Sequence, residues 1–150
     1  MSKFEITKAL ISETVDLLRA SQRRERVVLW LGRRTGDDVR IHEVFLPTQV
    51  TEADYFRIPP AGMDALFGHI RAAGLFVAAQ VHTHPQDAFH SPADDRWAIV
   101  RYEGALSLVV PQFCQRTTAF TFVDDAKVFR LDAEDNFVEV APDAAYRAVL

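Results

Sequence analysis

Residues 75–85, LFVAAQVHTHP, restrict the fold of this chain more than any other stretch. A near-continuous apolar run that follows a glycine and is stopped by a proline predicts a buried strand. The run breaks at its end into two histidines one residue apart, His82 and His84, and Pro85 turns the chain away. A buried strand needs neighbours in a sheet and cover over it, so the flanking segments must supply both.

The flanks read accordingly. KFEITKALI alternates enough for a first strand, and Ser12 is placed to cap a short helix, ETVDLLRAS, with Val15, Leu17 and Leu18 facing inward. RVVLWLG reads as a strand ending at a glycine, RRTGDD as a turn, and VRIHEVFLP as the hairpin partner stopped by Pro47. Residues 48–60, TQVTEADYFRIPP, form an irregular connection. AGMDALFGHIRAAG has helical spacing through Met63, Leu66, Phe67 and Ile70, with Gly74 at the C-terminal cap position. After Pro85, SPADDRWAIVRY opens like a helix, with Ser91 at the N-cap, Pro92 at the first helical position and Asp94 in the first turn. ALSLVVP, TAFTFV, KVFRL and FVEV read as strands, and PDAAYRAVL as a closing helix. Interleaved strands and helices give an α/β (mixed α+β) architecture, a mixed sheet flanked by helices, in one domain over residues 1–150.

Composition narrows the function classes. With 49% hydrophobic and 25% charged residues the chain is globular. No apolar run reaches the roughly 18 residues that a bilayer span needs, and the N-terminus lacks a signal-peptide core, so no membrane role is expected. The single cysteine, Cys114, allows no internal disulfide; that suits a cytoplasmic protein, with Cys114 a small buried hydrophobe. Residues 1–40 carry nine Lys/Arg against six Asp/Glu, including Arg19, Arg23, Arg24, Arg26, Arg33 and Arg34. Without interleaved aromatic platforms this cluster reads as a solvated face or a contact to an acidic protein, and no nucleic-acid partner is expected.

The histidine pair carries the chemistry. Residues two apart on a strand share a face, so His82 and His84 present both imidazoles to one side, within reach of one zinc ion at about 2.0–2.1 Å. The helix opened by Ser91 offers Asp94 or Asp95 as an anionic third ligand. Two histidines and one carboxylate leave a fourth tetrahedral position for water, the mark of a catalytic zinc site. No Walker loop, dinucleotide fingerprint, cysteine pair or HExxH helix competes with this reading.

HTHP followed by SPAD resembles the JAMM (MPN+, JAB) motif of zinc isopeptidases, His-x-His-x7-Ser-x2-Asp with a distant upstream glutamate. In ERVVLWLG, Glu25 and Gly32 have the separation of the family's glutamate and following glycine. The resemblance covers most of the chain and is to the short prokaryotic members; it implies a mixed, mostly antiparallel sheet flanked by helices, related to cytidine deaminases. One departure is that six residues, not seven, separate His84 from Ser91. Keeping the Ser-x-x-Asp spacing selects Asp94, because a helical turn is fixed while a loop can lose a residue; keeping the full His-to-Asp spacing selects Asp95. Glu43, in RIHEVFLP, rivals Glu25 but reads as a solvated strand residue, and His42 and His69 read as structural. His90 adjoins the site as a loop histidine.

The resemblance implies amide hydrolysis. His82, His84 and Asp94 would hold Zn2+, Glu25 would act as general base, and the Ser91 hydroxyl would donate to the oxyanion. The implied substrate is a ubiquitin-like protein or its conjugates, cut after the C-terminal glycine. Associated activating and conjugating enzymes, including those of antiphage systems, are the expected partners. The alternatives are a peptidase trimming the C-terminus of a sulfur-carrier protein, and a non-catalytic MPN-type binding scaffold.

Overall fold

The computed structural model describes residues 3–91, 94 and 98–150. Pro92 and Asp95, singled out above, lie outside the described residues. Strand β1 (Phe4–Thr7) runs directly into helix α1 (Lys8–Arg19), then β2 (Val27–Thr35), β3 (Asp38–Phe45) and two short strands, β4 (Val50–Thr51) and β5 (Phe56–Arg57). Helix α2 (Pro60–Ala73) leads into β6 (Phe76–Thr83). After the Asp94 segment come β7 (Leu106–Val110), a 3-10 turn (Gln112–Cys114), α3 (Phe122–Asp125), β8 (Lys127–Leu131), β9 (Phe137–Val140), α4 (Pro142–Ala145) and β10 (Tyr146–Val149). Eight strands form one mixed sheet in the order β10-β1-β3-β2-β6-β7-β8-β9, with β4 and β5 paired separately. Four of its seven pairings are antiparallel, while β10/β1, β1/β3 and β6/β7 are parallel.

The central strand β2 explains its own apolar run. Val28 and Trp30 pack toward Ile11, Val15 and Leu18 of α1. Val27, Leu29 and Leu31 pack on the other face against Leu66, Met63 and Ile70 of α2. A strand buried on both faces has no place for alternating polar residues. Trp30 is fully buried between the rings of Phe122 and Tyr146, and its indole N–H donates to Thr14 Oγ1 at 3.0 Å. No helix among the described residues is long and apolar enough to cross a membrane.

Several local expectations are corrected. The cap of α1 is Thr7, whose hydroxyl accepts from Leu10 N at 3.2 Å, so the helix starts ahead of Ser12. β2 runs past Gly32 to Thr35, leaving Gly36 and Asp37 as the turn. Phe67 points outward, at 47% exposure, and Leu66 takes the buried position on α2. TAFTFV is a turn leading into α3, because Thr118 and Thr121 hydroxyls each accept from the other's backbone N–H, an alternative to a ladder. The closing segment is helical only through Ala145; it then forms β10, pairing in parallel with β1 and burying Tyr146. Gly74 caps α2 in the left-handed region, φ 67°, as read from the sequence.

Gly32 is required for a different reason. A Cβ there would lie 2.6 Å from the Arg40 carbonyl oxygen, at the bulge where the β2/β3 register shifts. Gly32→Ala is therefore expected to destabilise the protein by about 1–3 kcal/mol, read from the urea midpoint at unchanged m-value. An unchanged midpoint would show that the bulge yields without cost.

Candidate metal centre

The β2/β6 register builds the site. Leu29 pairs with Gln80 and Val27 with His82, so these four side chains share one face of the sheet. Thr83 N donates to Arg26 O at 3.1 Å, and continuing the register sets Glu25 across from His84. Beyond the end of β6, His84 is held by its backbone, with its N–H donating to Val110 O at 2.9 Å and Phe113 N donating to its carbonyl at 2.8 Å. That second donor belongs to a turn of three non-glycine residues in the left-handed region, Gln112, Phe113 and Cys114, a conformation costing about 1–2 kcal/mol per residue.

Asp94 reaches the pair from a separate segment of the chain. Ser91 N donates to Asp94 Oδ2 at 2.8 Å, and Asp94 N donates to Ser91 Oγ at 3.0 Å, a reciprocal capping box. Asp94 Oδ2 lies 2.9 Å from His84 Nε2 and 3.2 Å from His82 Nε2. One donor atom from each of His82, His84 and Asp94 falls within 4.8 Å of the others, and all three residues are buried. The donor set fits a metal ion on a physical ground. His82 Nε2 faces Asp94 but lies out of hydrogen-bond alignment, and it and both Nδ1 atoms have no hydrogen-bond partner among the described residues. A buried unsatisfied polar atom costs about 1–3 kcal/mol, a cost that a shared cation removes at Nε2. Burial pushes the Asp94 carboxyl up, but the adjacent His82 and His84 imidazoles and the Ser91 backbone N–H outweigh it and hold the group well below the usual carboxylate range.

Glu25, at 5% exposure, lies close enough to these groups for the charges of His84 and Asp94 to act on its carboxyl. Its carboxyl is pushed up to about 7, chiefly by burial; the charge of Asp94 adds to the rise and His84 opposes it. Its backbone N–H donates to Glu52 O, and Gln49 bonds both N–H and C=O of Val27, which fixes the entry to β2. Glu43 is elsewhere, with its carboxylate bonded to His69 Nε2 on α2 at 2.8 and 2.9 Å. Glu25, Ser91 and Asp94 line a cavity of about 780 Å³ together with Tyr55, Phe56 and Ile58 of the irregular connection. Phe56 also packs on the His82 ring, with centroids 5.5 Å apart, and Phe89 lies edge-on to His84 at 4.6 Å.

Other singled-out residues have quieter roles. Cys114 is buried, and burial pushes its thiol up to about 12, the behaviour of an inert packing residue. Arg33 donates to the last carbonyls of α2, Arg26 to Leu17 O, and Arg34 lies over the Phe76 ring. Sequence reasoning missed Gln49 and Gln80. Gln80 had a signal, as the lone polar side chain in an otherwise apolar run.

A small α+β protein with a buried His-His-Asp cluster at the end of a central strand is the class that fold and site define together. The chain belongs to the prokaryotic homologs of the JAB domain, whose family model matches residues 7–122. It is 33% identical over 123 residues to the probable metalloprotease y4jG of Sinorhizobium fredii (strain NBRC 101917 / NGR234), covering 79% of this chain and 74% of that protein. Two solved structures share the fold. A Desulfitobacterium hafniense protein, known from a solution structure, superposes with a TM-score of 0.72 at 19% identity, covering 97% of this chain and 92% of its own. A JAB1/MPN domain protein from Archaeoglobus fulgidus gives 0.57 at 14% identity, covering 99% and 100%.

Proposed function

We propose that the protein is a zinc-dependent peptidase of the JAMM isopeptidase type, hydrolysing the amide bond that follows the C-terminal glycine of a ubiquitin-like protein. The observation that carries this reading is a buried carboxyl, Glu25, set in one cavity with Ser91 and the aspartate of a His82-His84-Asp94 cluster. A zinc ion held by those three residues would polarise the scissile carbonyl and lower the pKa of water to about 7.

The remaining work falls to the chain. Glu25, with a carboxyl raised toward neutrality, accepts a proton from the attacking water and returns it to the departing amine. Ser91 Oγ uses an acceptor lone pair on Asp94 N, so its own O–H stays available to the developing oxyanion, a donor of the kind that contributes about 3 kcal/mol. The capping role and the catalytic role are thus compatible in one hydroxyl. Tyr55, Phe56 and Ile58 give the cavity apolar wall for an extended tail, and Phe56 belongs to the short β4/β5 pair, beside which a peptide could add as a strand. Glycine suits the scissile position because its backbone can approach closely.

Reporter fusions of a candidate ubiquitin-like protein test the reading, with its terminal glycine intact or changed to leucine. The leucine fusion is expected to be cut at least about 100-fold more slowly, as for a pocket that rejects added bulk. Equal rates would make the protein a broader peptidase. Cleavage of neither fusion, with release of free amino acids from a shorter tail, would favour C-terminal trimming.

A further inference from the structure

The Asp94 segment is tied down at both ends by one polar pair in the sheet. Gln80 on β6 is buried, on the same face as His82 and His84. Its Oε1 accepts from Ile99 N at 2.8 Å and its Nε2 donates to Ser107 Oγ of β7 at 3.0 Å. Ser107 Oγ in turn lies 2.9 Å from His90 Nε2. His90 sits one residue before Ser91, and Ile99 lies five residues beyond Asp94. Because Ile99 N fixes the orientation of the carboxamide, the Ser107 oxygen receives the Gln80 proton. The Ser107–His90 hydrogen bond then completes a continuous polar link from Gln80 to the residue that precedes Ser91. The His90 ring is packed against Phe137 and Phe129, with centroids 4.4 and 5.2 Å away.

From this geometry we propose that Gln80, Ser107 and His90 form a two-ended clasp that positions the Asp94 segment over the histidine pair and so sets the affinity of the metal centre. The proposal rests on the reading of His82, His84 and Asp94 as ligands. None of the three clasp residues has a described atom in the donor cluster, so each is a positioning residue; His90 also meets the His82 ring edge-on, with centroids 6.1 Å apart. The sheet end is rigid: His82 and His84 are fixed by β6 and its neighbours. The carboxylate end arrives on a segment outside the sheet. A preorganised third ligand therefore requires anchors on that segment, and Gln80 joins both of them to the ligand-bearing strand itself.

The test uses cobalt(II) as probe on the full chain stripped of metal, reading its visible absorption and its affinity by chelator competition. His90→Leu and Gln80→Leu are expected to weaken cobalt binding by about 10–100-fold, the range found when outer-shell partners of ligands are removed. His90→Gln, whose amide reaches the position of Nε2, is expected to restore it. The thermal midpoint of metal-free His90→Leu is expected to stay within about 3 °C of wild type, because the site is a small part of the fold. His90→Leu carries the test if Gln80→Leu fails to fold. Wild-type affinity in His90→Leu, whatever its thermal midpoint, overturns the clasp and leaves the metal centre standing. Absence of cobalt absorption in the wild type, matching a His82→Ala, His84→Ala control, overturns both.

Discussion

Glu25→Gln is expected to lower kcat by about 10²–10⁴-fold while zinc content stays at the wild-type level. The substitution keeps size and burial and removes only the capacity to take a proton. Glu25 is outside the donor cluster, so the ligands remain. Glu43→Gln, which breaks the contact to His69, is expected to leave turnover unchanged. An active Glu25→Gln would remove the base from the mechanism; an inactive Glu43→Gln beside it would transfer the role.

The same substitution has a stability signature of known sign. Burial raises the Glu25 carboxyl from 4.5 to about 7 in the metal-free protein. A raised carboxyl is favoured protonated in the fold, so its stabilising contribution is complete below pH 4.5 and is lost as pH rises through 7. At one pKa unit per about 1.4 kcal/mol, ionised Glu25 costs the metal-free fold on the order of 3 kcal/mol at pH 8. Metal-free Glu25→Gln should then be more stable than wild type at pH 8 and equal to it near pH 4, measured by urea unfolding. A site that gains stability when its base is removed is one held against its own folding preference.

How much of this was legible in the sequence depended on whether a signal was local. His82, His84, Ser91 and Asp94 lie within 13 residues of chain, where strand alternation puts the two imidazoles on one face and the Ser-x-x-Asp spacing fits one helical turn. The two-faced burial of β2 and β6 was visible as near-continuous apolar runs. What failed were short elements decided by distant partners. PDAAYRAVL carries helix formers, yet β1 offers an open parallel edge that recruits Tyr146–Val149. TAFTFV alternates like a strand, but the Thr118 and Thr121 hydroxyls satisfy backbone groups locally. Gln80 and Ser107 joined the site only through the β6/β7 pairing, which no spacing in the chain displays.

The second large effect concerns the metal. The purified protein is expected to carry about one zinc per chain, and the His82→Ala, His84→Ala variant essentially none, with no detectable turnover. Asp94→Ala should lose most of the affinity, whereas Asp95→Ala should keep it, since it is Asp94 that lies 2.9 Å from His84 and 3.2 Å from His82. Metal held only by the native state stabilises it by RT ln(1 + [Zn]/Kd), about 4 kcal/mol at a thousandfold excess over Kd. For a chain of 150 residues that amounts to a chelator-induced fall of roughly 8–16 °C in thermal midpoint. Calorimetry with and without chelator, beside elemental analysis, reads both quantities on one sample. The double alanine variant supplies the control, because its midpoint should not respond to chelator at all. An equal chelator response in that variant would place the stabilising ion away from His82 and His84, and with it the chemistry assigned to this end of the sheet.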